Sequence, residues 1–527
     1  MKKPARLANF RLPLPVRIAA RRALALPLAL AAGALTVFAF APYGWWLLQP
    51  LTLALMFALL LRKSSPRRSA MIGWAYGFGW MCHGVWWLYI SMHVYGELPA
   101  WMAALGLVLF ALVTAAFAAL AMGGAQWLRL RLESGPVTTL LWIFPACWML
   151  GEWLRGWILT GFPWLVSGYA HSASPLAGYA PIVGVYGLSW LAALGAGSIV
   201  LWRHKKLPAL VMLALLAGGF LLQRVDWTQP SGEPVTVRLL QGNVPQDMKF
   251  LPEQTQATLA LYLDMMSAAP ADLIVTPETA LPLLAHQIPA HYLARIREFL
   301  RRHDSQLALG IPVRDGPMQY ANSVLTLGPD PAQAPYRYDK HHLVPFGEFV
   351  PPGARWFVDM MNIPLGDFAR RPLLQAPFAL RDQWVLPNIC YEDLFGEEIA
   401  RQIAARLAAG DKVPTILLNL SNIAWFGDTI AVPQHLQISQ MRALETGRPM
   451  LRATNTGATA VIDPKGRIQA RLPSYTRATL AATVQGYQGR TPYLSSGNTL
   501  PVAAALLALL LPALGFWRRT RQQRGSR

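Results

Sequence analysis

Cysteine is scarce in this chain: of 527 residues, only Cys82, Cys147 and Cys390 carry a thiol. There is no CxxC pair, no Cys/His comb and no zinc spacing. That excludes a disulfide framework and a zinc-ribbon site, and no motif implies a metal or an organic cofactor. Charge is scarce as well. Charged residues make up 14%, where an ordinary soluble domain has about 25%. Acids are the rarer sign, 27 Asp and Glu against 47 Lys and Arg, for a net charge of +20. In a soluble protein that balance would raise the question of nucleic acid. Here the basic residues cluster at the edges of apolar segments, so they speak for orientation in a membrane, and no nucleic-acid partner is expected. Internal repeats and low-complexity tracts are absent too.

Apolar sequence is what the chain has in plenty, 54% of it hydrophobic. A membrane span needs about 20 mostly apolar residues. Candidates are Leu24–Phe40, Trp46–Leu61, Ala70–Met92, Leu98–Leu120, Val137–Glu152, Pro181–Leu201, Pro208–Leu222 and Leu500–Phe516. Lys2, Lys3, Arg6, Arg11, Arg17, Arg21 and Arg22 precede the first of them. Further basic groups are Arg62, Lys63, Arg67 and Arg68, then Arg129 and Arg131, then Arg203, Lys205 and Lys206. The intervening loops lack them, with Arg155 and Arg224 as single exceptions. This alternation is the positive-inside pattern. It puts both termini in the cytoplasm, the second being a tail with Arg518, Arg519, Arg521, Arg524 and Arg527. The middle of the chain then lies outside. The expected division is residues 1–230 for seven spans, 231–488 for an extracytoplasmic catalytic domain, and 489–527 for the eighth span and tail. The aromatic, Gly-punctuated loop Gly161–Ser172, near Trp153 and Trp157 and containing Trp164, reads either as an interfacial belt or as the wall of a lipid-entry cleft.

From Pro234 the texture changes. Short β-branched runs at Val235–Asn243, Asp272–Glu278, Gln306–Val313, Asn322–Pro329, Trp384–Glu392, Thr415–Asn422 and Thr456–Ile468 read as strands. Helical patterns lie between them at Glu253–Met266, His291–His303, Gly396–Ala408 and Pro433–Glu445. Strand–helix alternation predicts an α/β domain whose strand ends supply a site. Asp463–Gly466, DPKG, is a plausible hairpin turn.

Three segments put reactive residues at strand exits: VTPETALP with Glu278, YDKHHLVPFGEFVP with Lys340 and Glu348, and LPNICYEDLFGEE with Cys390. A free thiol titrates near 8.5, so attack on a carbonyl requires a base or a positive neighbour. Glu278 is able to take the proton. Lys340 is able to balance the charge of a tetrahedral intermediate, a contribution of roughly 3–4 kcal/mol for a well-placed donor. Singly, each has a bland reading: a structural cysteine, a helix cap, a surface charge. The combination is what points to covalent catalysis.

Those three segments resemble the Glu–Lys–Cys signature of the nitrilase (carbon–nitrogen hydrolase) superfamily, whose members share an αββα sandwich. The likeness takes in QGNVPQ (Gln241–Gln246), LLNLSNIAWFGDT (Leu417–Thr429) and QHLQISQMRALETGRPMLRATNTG (Gln434–Gly457). With spans on both sides of that domain, the chain closely resembles the apolipoprotein N-acyltransferase family of bacterial inner-membrane enzymes. The resemblance implies Glu278 as general base, Lys340 as stabiliser and Cys390 as nucleophile. It implies Glu348, Tyr391 and Glu392 as supporting residues, with Phe250 (where the family has tryptophan) and Trp425 at substrate. Asn422, Phe426, His435 and Arg452 recur in the family's pattern and read first as structural, His435 as a hydrogen-bonded helix residue.

It also implies a ping-pong reaction. Cys390 would take an acyl chain from the sn-1 ester of a phospholipid, typically phosphatidylethanolamine, and pass it to the α-amine of a diacylglyceryl-modified apolipoprotein. A monomer in the inner membrane, with its catalytic domain in the periplasm, is the expectation. A membrane-tethered amidase, with water resolving the thioester, is the alternative. A transporter would show ionisable residues within its spans, where His83 and Glu152 are almost alone.

Overall fold

The computed structural model describes residues 22–525, apart from 63, 250, 317–318, 331, 352, 354 and 356–367. The basic cluster at residues 2–21, Lys63, Arg527 and Phe250 therefore lie outside the described residues. The chain divides into two compact units. One comprises Met1–Trp86, Ala104–Val225 and Asn498–Arg527; the other comprises Trp87–Ala103 and Asp226–Gly497. The segment 87–103, which the hydropathy gives to the third and fourth spans, thus groups with the α/β unit.

The first unit is helical. Ala100–Arg131, Pro136–Arg155, Pro175–Leu201 and Thr499–Gln523 are long and apolar enough to cross a membrane. Ala25–Ala39, Leu48–Leu60 and Lys206–Leu222 are shorter apolar helices. Pro66–Gly84 begins with proline in its first turn and the Ser65 side chain accepting the Arg68 N–H. Ala100–Arg131 overruns the expected Leu98–Leu120: the Gly123-Gly124 pair does not interrupt it, and the first proline after it is Pro136. The helix at 25–36 packs closely on that at 66–84: a Cβ on Gly33 would lie 1.9 Å from the Tyr76 carbonyl oxygen. Small residues allow such approach where both solvent and core are apolar.

The loop 161–172 is not a belt in this unit. Trp164, Tyr169 and His171 are buried. Arg155 Nη1 donates to the carbonyls of Phe162 (2.7 Å) and Trp164 (2.8 Å), and Glu152 Oε1 accepts from the Ser167 N–H (2.9 Å) and hydroxyl (2.8 Å). Non-helical backbone among apolar helices needs such partners. Arg155 and Glu152 are therefore latches on this loop, which is why Arg155 breaks the charge alternation.

The second unit is built on two six-stranded sheets. Its strands are β1 (Thr228–Pro230), β2 (Val235–Gln241), β3 (Leu273–Val275), β4 (Gln306–Gly316), β5 (Gln319–Leu327), β6 (Arg337–Asp339), β7 (Phe378–Leu380), β8 (Gln383–Ile389), β9 (Ile416–Ser421), β10 (Met450–Thr454), β11 (Ala460–Ile462), β12 (Ile468–Arg471), β13 (Ala478–Val484) and β14 (Tyr487–Gly489). The sheet orders are β13-β2-β3-β4-β5-β6 and β12-β11-β10-β9-β8-β7, with β1 and β14 pairing apart. In each sheet the central strands, β2-β3-β4 and β8-β9-β10, run parallel.

Between the sheets lies one core, with Val237, Leu239 and Val275 from the first meeting Val385, Leu418 and Leu451 from the second. The outer face of the first sheet packs Ile274, Leu307 and Leu309 on Leu259, Tyr262 and Ile296 of helices Pro252–Ser267 and Ala290–His303. The outer face of the second packs Leu386, Leu417 and Met450 on Ile399, Ile403 and Leu436 of helices Gly396–Ala409 and Ala431–Thr446. The result is the expected αββα order. Burial on both faces explains why the central strands read as continuous apolar runs.

One expected strand is corrected. Thr456–Ile468 is not continuous: residues 456–459 form a turn, β11 follows, and the DPKG turn (Gly466, φ +73°) connects β11 to β12. The missing central strand is β10, which starts after the helix 431–446 stops at left-handed Gly447.

Candidate active site

Parallel strands deliver their carboxyl ends to one side of a sheet, where loops gather ligands. Glu278 follows β3, Lys340 follows β6, Cys390 follows β8 and Asn422 follows β9. These positions converge.

Glu278 is buried, 7% exposed. Its Oε1 accepts from Asn322 Nδ2 at 2.7 Å and faces Lys340 Nζ at 3.3 Å, and its Oε2 accepts the Asn422 backbone N–H at 2.9 Å. Lys340 is 1% exposed. Its ammonium also donates to Glu348 Oε1 at 2.8 Å. Burial works against this charge, but the carboxylates of Glu278 and Glu348 outweigh it and hold Lys340 above the ordinary lysine value. Glu348 is in turn fixed by the Val344 N–H on Oε2 (2.8 Å) and by Asn322 Nδ2 on Oε1 (3.0 Å).

Cys390 is only partly buried and takes φ +50°. A non-glycine residue there is strained by about 1–3 kcal/mol and persists only where its surroundings over-determine it. Glu392 does that. Its Oε2 accepts the Ile389 N–H (2.6 Å) and the Tyr338 hydroxyl (3.0 Å), while its Oε1 accepts the N–H groups of His341 (2.7 Å) and His342 (3.2 Å). One carboxylate thus ties the cysteine turn to the residues just after Lys340. Burial pushes Glu392 up to about 7, with the backbone donors and Lys340 pulling it back.

Burial also pushes the Cys390 thiol up to about 12; Glu278 raises it further, and Lys340 lowers it. The thiol is therefore protonated at neutral pH and needs a base to attack. A thiol in the shared field of a carboxylate and an ammonium suits transfer of an acyl group through a thioester.

Tyr391 is buried, its ring 5.8 Å from that of His342 and 5.4 Å from that of Phe395. Trp425 is half-buried in the turn after Asn422, edge-on to Tyr95 at 5.9 Å. Phe426 lies 4.2 Å from the Trp87 ring. His435 and Arg452 belong to a buried network behind the site. Arg452 pairs with Asp393 (3.3 Å), donates to Ser439 (2.8 Å) and Asn419 (3.2 Å), and meets His435 Nδ1. Asn422 also donates to Gln246 (2.8 Å), linking the QGNVPQ loop to β9. Sequence reasoning missed Asn322, which bridges both carboxylates. A neutral amide inside a strand pattern carries no signal of its own.

Residues 32–198 match the family model described as apolipoprotein N-acyltransferase N-terminal domain, and residues 236–493 match carbon–nitrogen hydrolase. The apolipoprotein N-acyltransferase of Ralstonia nicotianae is 51% identical over 95% of this chain and 95% of its own. That of Chromobacterium violaceum is 45% identical over 96% and 97%. Among solved structures, an amidase from Nesterenkonia sp. aligns at 20% identity and a TM-score of 0.37, over 51% of this chain and 95% of that one. A helical unit followed by a carbon–nitrogen-hydrolase unit, with relatives alike over nearly the full length, fixes the assignment: this chain belongs to the apolipoprotein N-acyltransferase family.

Proposed function

We propose that this membrane enzyme moves an acyl chain from the sn-1 ester of a phospholipid, through a thioester on Cys390, to the α-amine of a diacylglyceryl-modified apolipoprotein cysteine. The observation that carries the reading is the single hydrogen-bonded group formed by Glu278, Lys340, Glu348 and Asn322, in whose field the Cys390 thiol lies.

In this reading Glu278 takes the thiol proton as sulfur attacks the ester carbon. Lys340 faces the oxygen that becomes negative. Collapse breaks the ester C–O bond, and Glu278 returns the proton to the leaving lysophospholipid alcohol. The acceptor amine then attacks the thioester carbon, the C–S bond breaks, and the proton lost by nitrogen returns through Glu278 to sulfur. Both substrates are anchored in lipid, so holding the site at the bilayer makes their meeting a local event.

Among the described residues, four helices long and apolar enough to cross a membrane, three shorter apolar ones and the helix Pro66–Gly84 support the reading of eight crossings. The basic loops support cytoplasmic termini with the catalytic domain, residues 231–488, in the periplasm of a monomer at the inner membrane. The seven spans would then take residues 1–230, and the last span with its tail 489–527. Phe250 and Trp425 are assigned to substrate contact.

The test is complementation of a cell depleted of its own N-acyltransferase, with mass analysis of lipoprotein N-termini. Triacylated N-termini restored by the wild-type chain but not by Cys390→Ala support the reading. Diacylated N-termini with the wild-type chain well expressed contradict it.

A further inference from the structure

A second buried ammonium stands beside Glu278, and the reaction just described gives it no part. Lys249, at the end of the loop after β2, is 1% exposed. Its Nζ donates to Thr279 Oγ1 at 2.9 Å and to the Glu278 carbonyl at 3.4 Å. Thr279 takes φ +46°, a left-handed conformation rare for a β-branched residue. That turn sets where the chain leaves Glu278, and hence where the carboxylate points.

The same turn is pressed from the other side by β4. The Gly310 N–H donates to Thr276 Oγ1, and the Gly310 carbonyl accepts from the Ala280 N–H, both at 3.0 Å. A Cβ at Gly310 would fall 2.3 Å from the Pro277 carbonyl oxygen and 2.9 Å from Glu278 Cα. Glu278 is thus clasped between a glycine that lets β4 approach and a lysine buried at its own backbone. An apolar side chain would fill the place of Lys249 without the penalty of burying a charge, so packing alone gives no reason for an amine.

We propose that Lys249 is a positioning residue for the reaction, its ammonium holding the Glu278–Thr279 turn so that the Glu278 carboxylate meets Lys340, Asn322 and the Asn422 N–H while feeling a second positive charge. The inference rests on the reading of Glu278 as base. Burial pushes Lys249 down to about 8, and the Glu278 charge holds it partly up, so the two groups are electrostatically coupled. The groups facing Glu278 are the cations Lys249 and Lys340, the like charge of Glu348 and the Cys390 thiol.

The experiment uses the full chain in detergent micelles with phosphatidylethanolamine, following acyl-adduct formation by intact-protein mass across pH for wild type, Lys249→Met, Lys249→Arg and Glu278→Gln. Lys249→Met is expected to lower the maximal rate of adduct formation by about tenfold or more, as small misplacements of a reacting group do, with KM for phospholipid unchanged. Lys249→Arg is expected to restore the rate, because a guanidinium keeps donors for Thr279 Oγ1 and the Glu278 carbonyl. An unchanged rate in Lys249→Met overturns the inference. So does a loss that vanishes once the rate is expressed per folded molecule, counted from the monodisperse peak in size-exclusion chromatography. Glu278→Gln separates the two readings: if it fails to slow the adduct, the base assignment itself falls. If it slows the adduct while Lys249→Met does not, only the role of Lys249 falls.

Discussion

Lys340 is held more closely by Glu348, at 2.8 Å, than by Glu278, at 3.3 Å. The supporting carboxylate thus carries most of the ammonium, and Asn322 spreads its two amide hydrogens over both acids. Such sharing leaves Glu278 available to take a proton. Glu348→Gln should draw Lys340 onto Glu278 and bind up the base. Acyl-enzyme formation should slow about 30-fold, equivalent to about 2 kcal/mol, while phospholipid binding stays as it is. Single-turnover kinetics with labelled phospholipid measure both.

Glu392 meets four donors and no acceptor among its hydrogen bonds described above. Glu392→Gln keeps the shape but puts two amide hydrogens where the acid carries at most one, so that one of them faces an N–H group. The expected loss is about 2–3 kcal/mol of stability, with Cys390 released from its left-handed turn. Thermal unfolding followed by near-ultraviolet circular dichroism reads the first, and acyl-enzyme yield the second.

The same residue gives a pH dependence. Its folded value of about 7 lies above that of a carboxylate in the unfolded chain. The folded state therefore holds the proton more tightly, and its contribution to stability is full below the unfolded value and is lost as pH rises through about 7. The slope is at most about 1.4 kcal/mol per pH unit. Melting curves of wild type and Glu392→Gln between pH 5 and 8 should differ in slope in that direction; parallel curves would contradict it.

The Cys390 thiol yields predictions of opposite sign for two variants. Burial and Glu278 raise it to about 12 while Lys340 lowers it, so iodoacetamide should label the Cys390 peptide slowly at pH 7.5 and faster by about tenfold per unit above that. Glu278→Gln removes a like charge and should speed labelling at fixed pH even as it stops catalysis. Lys340→Met should slow both.

Much of this was legible in the sequence. Reactive residues at the ends of apolar runs located Glu278 and Cys390, because a strand buried on both faces advertises itself and its exit; Lys340 follows the short polar edge strand β6 and was found through the family resemblance. Asn322 and Lys249 were not legible. Asn322 lies inside β5, where nothing in a pattern of alternation marks an amide that faces two carboxylates across the sheet. Lys249 reads as an ordinary loop charge until its burial against Thr279 is seen. β10 was hidden because its buried face follows a helix after only a short break at Gly447. The aromatic residues of the loop 161–172 fit either an interfacial belt or a cleft wall, and nothing in the sequence shows that Glu152 and Arg155 draw its backbone inside.

The most direct measurement is the intact mass of the full chain after incubation with phosphatidylethanolamine of a single acyl composition. Wild type should gain one acyl group on the Cys390 peptide, keep it while no amine is present, and lose it to a diacylglyceryl-cysteine peptide as an amide. An adduct undiminished in Cys390→Ala, or steady release of free fatty acid from phospholipid alone, would contradict the account.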